Sequence, residues 1–209
     1  MTELHGFSSF CTAESVASHE AGHLLMSWLL GRDVIHCSIS EDGGDTQTAG
    51  GEQETPHQRL LASLSGMVME ENVPVLKELL EHLDNPAFFH QNTDSFAAAK
   101  GVEMICEDGR QEFLLGLINV IQRFKFQYMK AYNAIRTILM EHRCITAEQC
   151  HALFDEWDRE YVLEKHPKSD VVYREIAREF DWELPQNCFI GWNLESIPNI
   201  NIKEAEDTQ

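Results

Sequence analysis

The stretch ESVASHEAGHLLMSWLLG, Glu14–Gly31, decides how the rest of the chain is read. On a helix, residues three and four apart share a face. Ala17, Ala21, Leu24, Leu25, Trp28 and Leu29 recur at those intervals, Thr12 is placed to cap the start, Glu14 falls in the first turn, and Gly31 is a stop. The spacing predicts a helix from Thr12 to Leu30. Within it, His19 and His23 are four apart, so both imidazoles point from one face and can bind the same metal ion. Glu20 sits one step round, within reach of a water on that ion. The apolar positions Ala17, Ala21, Leu25 and Trp28 lie away from the histidines, so burying this helix still presents them to a cleft.

The H-E-x-x-H spacing fits the chemistry of a zinc hydrolase. The metal lowers the pKa of a bound water and polarises a carbonyl, while the glutamate relays the proton to the leaving amine. Zinc needs a third protein ligand and a fourth, open position. The candidates are Glu70 or Glu71 at the end of a second helix, Asp94 at the start of a later one, and His57, His82 or His90; spacing alone does not choose among them.

Outward from the motif, the chain reads as mainly helical. Val34–Ser40 alternates as a short strand, and the residues from Gly43 to Gly51 read as a mobile, acidic, glycine-rich connection that could act as a lid from Asp42 to Glu54. Thr55-Pro56-His57-Gln58 combines a capping box with proline at the first helical position, opening a helix to about Glu71. A short helix from Val75 to Leu83 follows, then one from Thr93-Asp94 past Ile105. Gln111–His142 carries apolar residues at helical spacing, as one long helix or two joined at a kink, and forms core or a subunit contact. Thr146-Ala147-Glu148-Gln149 is a second capping box and opens a helix to about Glu164. Beyond Pro167 the pattern weakens: Val171–Phe180 reads as helical, Leu184–Ile202 shows no clear period, and the tail Lys203–Gln209 reads as disordered. The division expected is a domain over 1–165 and a partly irregular C-terminal extension over 166–209.

Composition narrows the function. The formal charge is −19, from 35 acidic and 16 basic residues, so the chain lacks the basic footprint of a nucleic-acid or anionic-membrane binder. No apolar run is long enough to span a bilayer, and Met1–Phe10 lacks the pattern of a signal peptide. The expectation is a soluble, cytoplasmic protein. Six cysteines, without a C-x-x-C pair, read as small buried apolar residues in a reducing compartment rather than a zinc ribbon or disulfide framework. His57, His82, His90 and His151 are isolated and read as surface residues.

VASHEAGHLLMSWL resembles the start of the protease domain of the FtsH family, the membrane-anchored ATP-dependent zinc proteases, whose helix reads V-A-x-H-E-A-G-H-A. LASLSGMVMEE is similar to the family's small-residue helix ending in A-A-E-E, and NTDSFAAAKGVEMI to its N-D-L-x-x-A-T segment, where an aspartate supplies the third zinc ligand. AYNAIRTILMEHRCITAEQCHALF resembles the closing helical pair. The resemblance spans about Thr12 to Trp157 in the family's order. It implies a zincin-like helical peptidase domain with a small strand or hairpin, zinc on His19, His23 and Asp94, and Glu20 as general base. Glu70 or Glu71 is then a candidate to orient a ligand by hydrogen-bonding it.

The sequence departs from the family pattern at Thr93, usually asparagine, at Met67, usually arginine, and at Leu24, usually alanine. It also carries no P-loop, no arginine-bearing ATPase segments and no membrane-spanning segment. The expected activity is therefore ATP-independent cleavage of peptides or unfolded polypeptides, unless a separate ATPase or adaptor partner delivers substrate. The alternative is a catalytically silent, zinc-binding regulatory module. Ring assembly in the family makes a homo-oligomer an expectation, with a dimer through the long helix or the Pro-rich C-terminal segment fitting as well.

Overall fold

The computed structural model describes residues 12–49, 55–161 and 168–180. Among them the architecture is mainly helical with one small antiparallel sheet. Helix α1 spans Ala13–Leu29. The Thr12 hydroxyl accepts from the Ser15 amide at its start, and Gly31, at φ 68°, releases the chain after Leu30. The helix runs through the centre of the molecule: Val16, Ala17, Ala21, Leu24, Leu25, Met26, Trp28 and Leu29 are all buried, on every side rather than along one stripe. Only the histidine side stays partly open.

Strand β1, Val34–Ser40, turns through Glu41-Asp42 into β2, Gly43–Thr48, and the two pair antiparallel with Cys37 opposite Thr46 and Ile39 opposite Gly44. The stretch expected to be a mobile connection is therefore a strand over most of its length, and residues 50–54 of the expected lid lie outside the described part. A short third strand, β3 (Cys144–Thr146), joins the other edge of β1, giving the order β2-β1-β3.

Helix α2, Pro56–Met69, opens on the capping box: the Thr55 hydroxyl accepts from the Gln58 amide, and the Gln58 side chain accepts from the Thr55 amide. It crosses α1 very closely. A Cβ added at Gly22 would lie 2.5 Å from the Ser65 carbonyl oxygen, so the glycine of the H-E-A-G-H segment is what lets the two backbones meet. Helix α3, Val73–Glu81, starts two residues earlier than expected because Asn72 caps it and Pro74 fits its first turn. Helix α4, Asp94–Ile105, is capped by Thr93. The long apolar stretch divides into α5 (Arg110–Gln127) and α6 (Met129–His142) at Tyr128, a buried ring packed edge-on against Trp28 at 5.4 Å. Helix α7, Ala147–Glu160, opens on the second capping box and brings Trp157 against the same Trp28, whose indole N–H donates to Asp158 at 2.8 Å.

Helix α8, Lys168–Glu179, falls in the segment assigned to a C-terminal extension. It buries Val172 and Ile176 in the same core, and Glu179 pairs with Arg123 of α5 at 2.6 Å. The remaining expectations for the extension concern residues outside the described part. No helix among the described residues is long and apolar enough to cross a membrane. Of the described cysteines, Cys37, Cys106 and Cys150 are buried as expected, whereas Cys144, on the edge strand β3, is exposed.

Candidate metal centre

Three elements meet at His19 and His23. Helix α1 carries both imidazoles, α2 packs behind them, and α4 places Asp94 at its first turn, where the Thr93 cap starts the helix. The three ligand atoms form a near-equilateral triangle: His19 Nε2 to Asp94 Oδ2 is 2.9 Å, His23 Nε2 to Asp94 Oδ2 is 3.1 Å, and the two Nε2 atoms are 3.0 Å apart. Among the described residues this is the one cluster of at least three such groups close enough to share a metal ion.

The atoms behind the imidazoles decide what this triangle is. His23 Nδ1 lies 2.8 Å from the Ala62 carbonyl oxygen, which only accepts, so Nδ1 carries a proton and donates it. His19 Nδ1 lies 2.9 Å from Glu70 Oε2 and donates in the same way. Both Nε2 atoms are then left as acceptors, facing each other and a carboxylate. Three acceptors at this separation need a cation between them. A proton on His19 is one answer: burial disfavours charge there, but the hydrogen bonds to Asp94 and Glu70 outweigh it and lift the pKa from 6.5 to about 10. A metal ion is the other. A tetrahedral centre with bonds of about 2.0–2.1 Å sets its donors a little over 3 Å apart, within a few tenths of the triangle observed.

Glycine opens the space. A Cβ on Gly66 of α2 would fall 2.5 Å from His23 Nε2 and 2.6 Å from His19 Nε2, so any larger residue there would enter the triangle. Asp94, at 35% side-chain exposure against 22% for His19 and 15% for His23, marks the side on which the cluster opens. Burial pushes its carboxyl up, but bonds to both histidines outweigh this and hold it well below the usual carboxylate range.

No family model, curated protein or solved structure matches this chain.

Of the two candidates for orienting a ligand, the structure brings in one. Glu70 grips His19 with Oε2 while Ser15 donates to Oε1; partial burial pushes its carboxyl up, but these bonds outweigh this and keep it below its ordinary pKa. Glu71 is elsewhere. It takes a left-handed φ of 64° just past the end of α2, and its exposed carboxylate pairs with Lys125 at 2.7 Å. The Lys125 ammonium also donates to the Met69 carbonyl at 2.6 Å, as does the Tyr132 hydroxyl at 2.9 Å, so the last turn of α2 is tied down from α5 and α6.

The remaining candidate histidines stay outside the cluster. His82 stacks on Phe88 with ring centroids 3.6 Å apart, and exposed His90 hydrogen-bonds the neighbouring Gln91 carbonyl. His151, read as a surface residue, meets Asp33 at 2.9 Å. His57, expected at the surface, has both ring nitrogens shut away from solvent without a partner, and burial pushes its pKa down to about 4.

Glu20 is 4% exposed and lies beside the cluster. Burial raises its pKa, partly offset by His23, by a hydrogen bond from Thr46 and by His19. That bond, Thr46 Oγ1 to Glu20 Oε2 at 2.7 Å, comes from β2. Thr46 was not legible as a site residue, since its segment carries no apolar alternation to mark a strand.

Proposed function

We propose that this chain is a zinc-dependent endopeptidase of the FtsH protease type, acting on peptides or unfolded polypeptides by an ATP-independent reaction. The observation that carries the reading is the convergence of His19 Nε2, His23 Nε2 and Asp94 Oδ2, with both Nδ1 atoms committed as donors and a buried glutamate alongside. Two imidazoles and one carboxylate suit zinc and leave a fourth position open.

His19, His23 and Asp94 would hold the ion. Zinc bound there supplies Lewis-acid polarisation of a peptide carbonyl and acidifies a water. Glu20 takes the proton from the attacking water and returns it to the departing amine. Glu70 and the Ala62 carbonyl fix the ring planes and tautomers of the two histidines, so the donor atoms are aimed before any ion arrives. Among the described residues β2 is an edge strand, and its outer edge would offer backbone groups to an extended substrate. A separate ATPase or adaptor partner fits this reading as a source of unfolded chains.

A second reading, a zinc-binding interaction module without turnover, is favoured by the 4% exposure of Glu20, since a general base must meet water. One experiment separates the two. Purified wild type and Glu20→Gln are compared for zinc content and for cleavage of denatured casein. The peptidase reading expects one equivalent of zinc in both proteins and at least a 100-fold loss of cleavage in the variant, the scale of general-base catalysis. Bound zinc with no cleavage by either protein supports the module, and equal cleavage by both removes Glu20 from the mechanism.

A further inference from the structure

Glu20 is held from a different direction than the histidines on either side of it. Gly44 and Thr46, two apart on β2, present the same face of the strand to its side chain. A Cβ on Gly44 would lie 2.5 Å from Glu20 Oε1 and 2.6 Å from Cδ, so the strand backbone rests directly on the carboxylate. Thr46 Oγ1 lies 2.7 Å from Glu20 Oε2 and 3.2 Å from Cys37 Sγ, across the strand pair.

A threonine hydroxyl has one proton to give. A carboxyl oxygen accepts it more strongly than sulfur does, and 2.7 Å is the usual length of an O–H···O bond. The proton therefore goes to Glu20. Cys37 is fully buried, and burial pushes its thiol pKa up, so it stays S–H, with the Glu20 backbone carbonyl 3.9 Å from its sulfur as acceptor. With Thr46 O–H on Glu20 Oε2 and Cys37 S–H on the Glu20 backbone carbonyl, both donors have an acceptor on the same residue.

We infer that Thr46 is a positioning residue: its hydroxyl anchors Glu20 Oε2 against the β1–β2 hairpin and leaves Oε1 to handle the proton. This rests on the peptidase reading for its kinetic consequence but not for its geometry.

The test compares wild type, Thr46→Val, which keeps the shape and loses the hydroxyl, and Thr46→Ser, which keeps the hydroxyl; Thr46→Ala replaces Thr46→Val should that variant not fold. Zinc content, kcat and KM on a peptide, and the crystallographic placement of Glu20 are the readouts. Thr46→Val is expected to bind one equivalent of zinc, to lose about 10- to 100-fold in kcat with KM within twofold, and to show the Glu20 carboxylate displaced or split. Thr46→Ser should recover most of kcat and the single placement. Wild-type kcat in Thr46→Val, or a loss that Thr46→Ser does not restore, would overturn the inference. If wild type itself cleaves nothing, the peptidase reading fails, and the Glu20 placement still decides: displacement in Thr46→Val alone supports the anchor, and an unmoved carboxylate overturns it.

Discussion

The two walls of the site hold neighbouring residues of one helix by different means. Helix α2 holds His19 and His23 from behind, through Glu70 and the Ala62 carbonyl, with Gly66 leaving room for the triangle of donors. The β1–β2 hairpin holds Glu20, through the Thr46 hydroxyl and the close approach of Gly44. On the proposed reading, metal affinity and proton transfer are set by separate elements packed on α1. Damage to one wall should leave the other's property standing.

The strongest way to break that comparison is at the glycines. Gly66→Ala puts a methyl group 2.5–2.6 Å from both Nε2 atoms and should abolish stoichiometric zinc binding, measured by plasma mass spectrometry of the dialysed protein. Gly44→Ala presses on the Glu20 carboxylate instead. It should keep one equivalent of zinc and lose at least 10-fold in kcat. Zinc loss in both variants, or in neither, would mean the walls are not independent.

A smaller effect sharpens the α2 wall. Glu70→Gln retains shape but weakens the charge-assisted bond to His19 Nδ1, and zinc affinity should fall about 10- to 100-fold in a chelator competition titration. Glu71→Gln, one residue on and paired with Lys125, should leave that affinity within twofold.

An effect outside the cluster concerns stability. His57, in the first turn of α2, is buried without a partner, and the positive end of the helix dipole adds to the cost of charging it. Its folded pKa, about 4, is below the unfolded value of 6.5, so below pH 6.5 the unfolded chain binds the extra proton. Its contribution to stability is complete above pH 6.5 and is lost as pH falls toward 4, at up to about 1.4 kcal/mol per unit. Chemical denaturation of wild type and His57→Phe across that window should show the difference between them changing with pH. A pH-independent difference would place a proton acceptor near the ring.

Helices were readable because their signals are local. The four-residue step from His19 to His23 and the boxes at Thr55/Gln58 and Thr146/Gln149 each state their geometry within one turn, and all three appear as expected. Strand β2 was not readable because Gly-Gly-Asp-Thr-Gln-Thr has no apolar face; it is a strand through its pairing with β1. The break at Tyr128 carries neither proline nor glycine and follows from packing on Trp28. Spacing left Asp94 open among several candidates, because only the packing of α4 against α2 brings residue 94 to residue 19. Glu70 and Glu71 are indistinguishable as a pair in sequence. The turn at the end of α2 and the pull of Lys125 send one to the histidine and the other to solvent.

Whether His19, His23 and Asp94 hold zinc is read by X-ray absorption at the zinc edge of the zinc-loaded protein. The expected result is one equivalent of zinc with about four nitrogen or oxygen donors at about 2.0–2.1 Å and the outer-shell scattering of two imidazoles. A sulfur shell at about 2.3 Å, or no stoichiometric zinc at all, would contradict it.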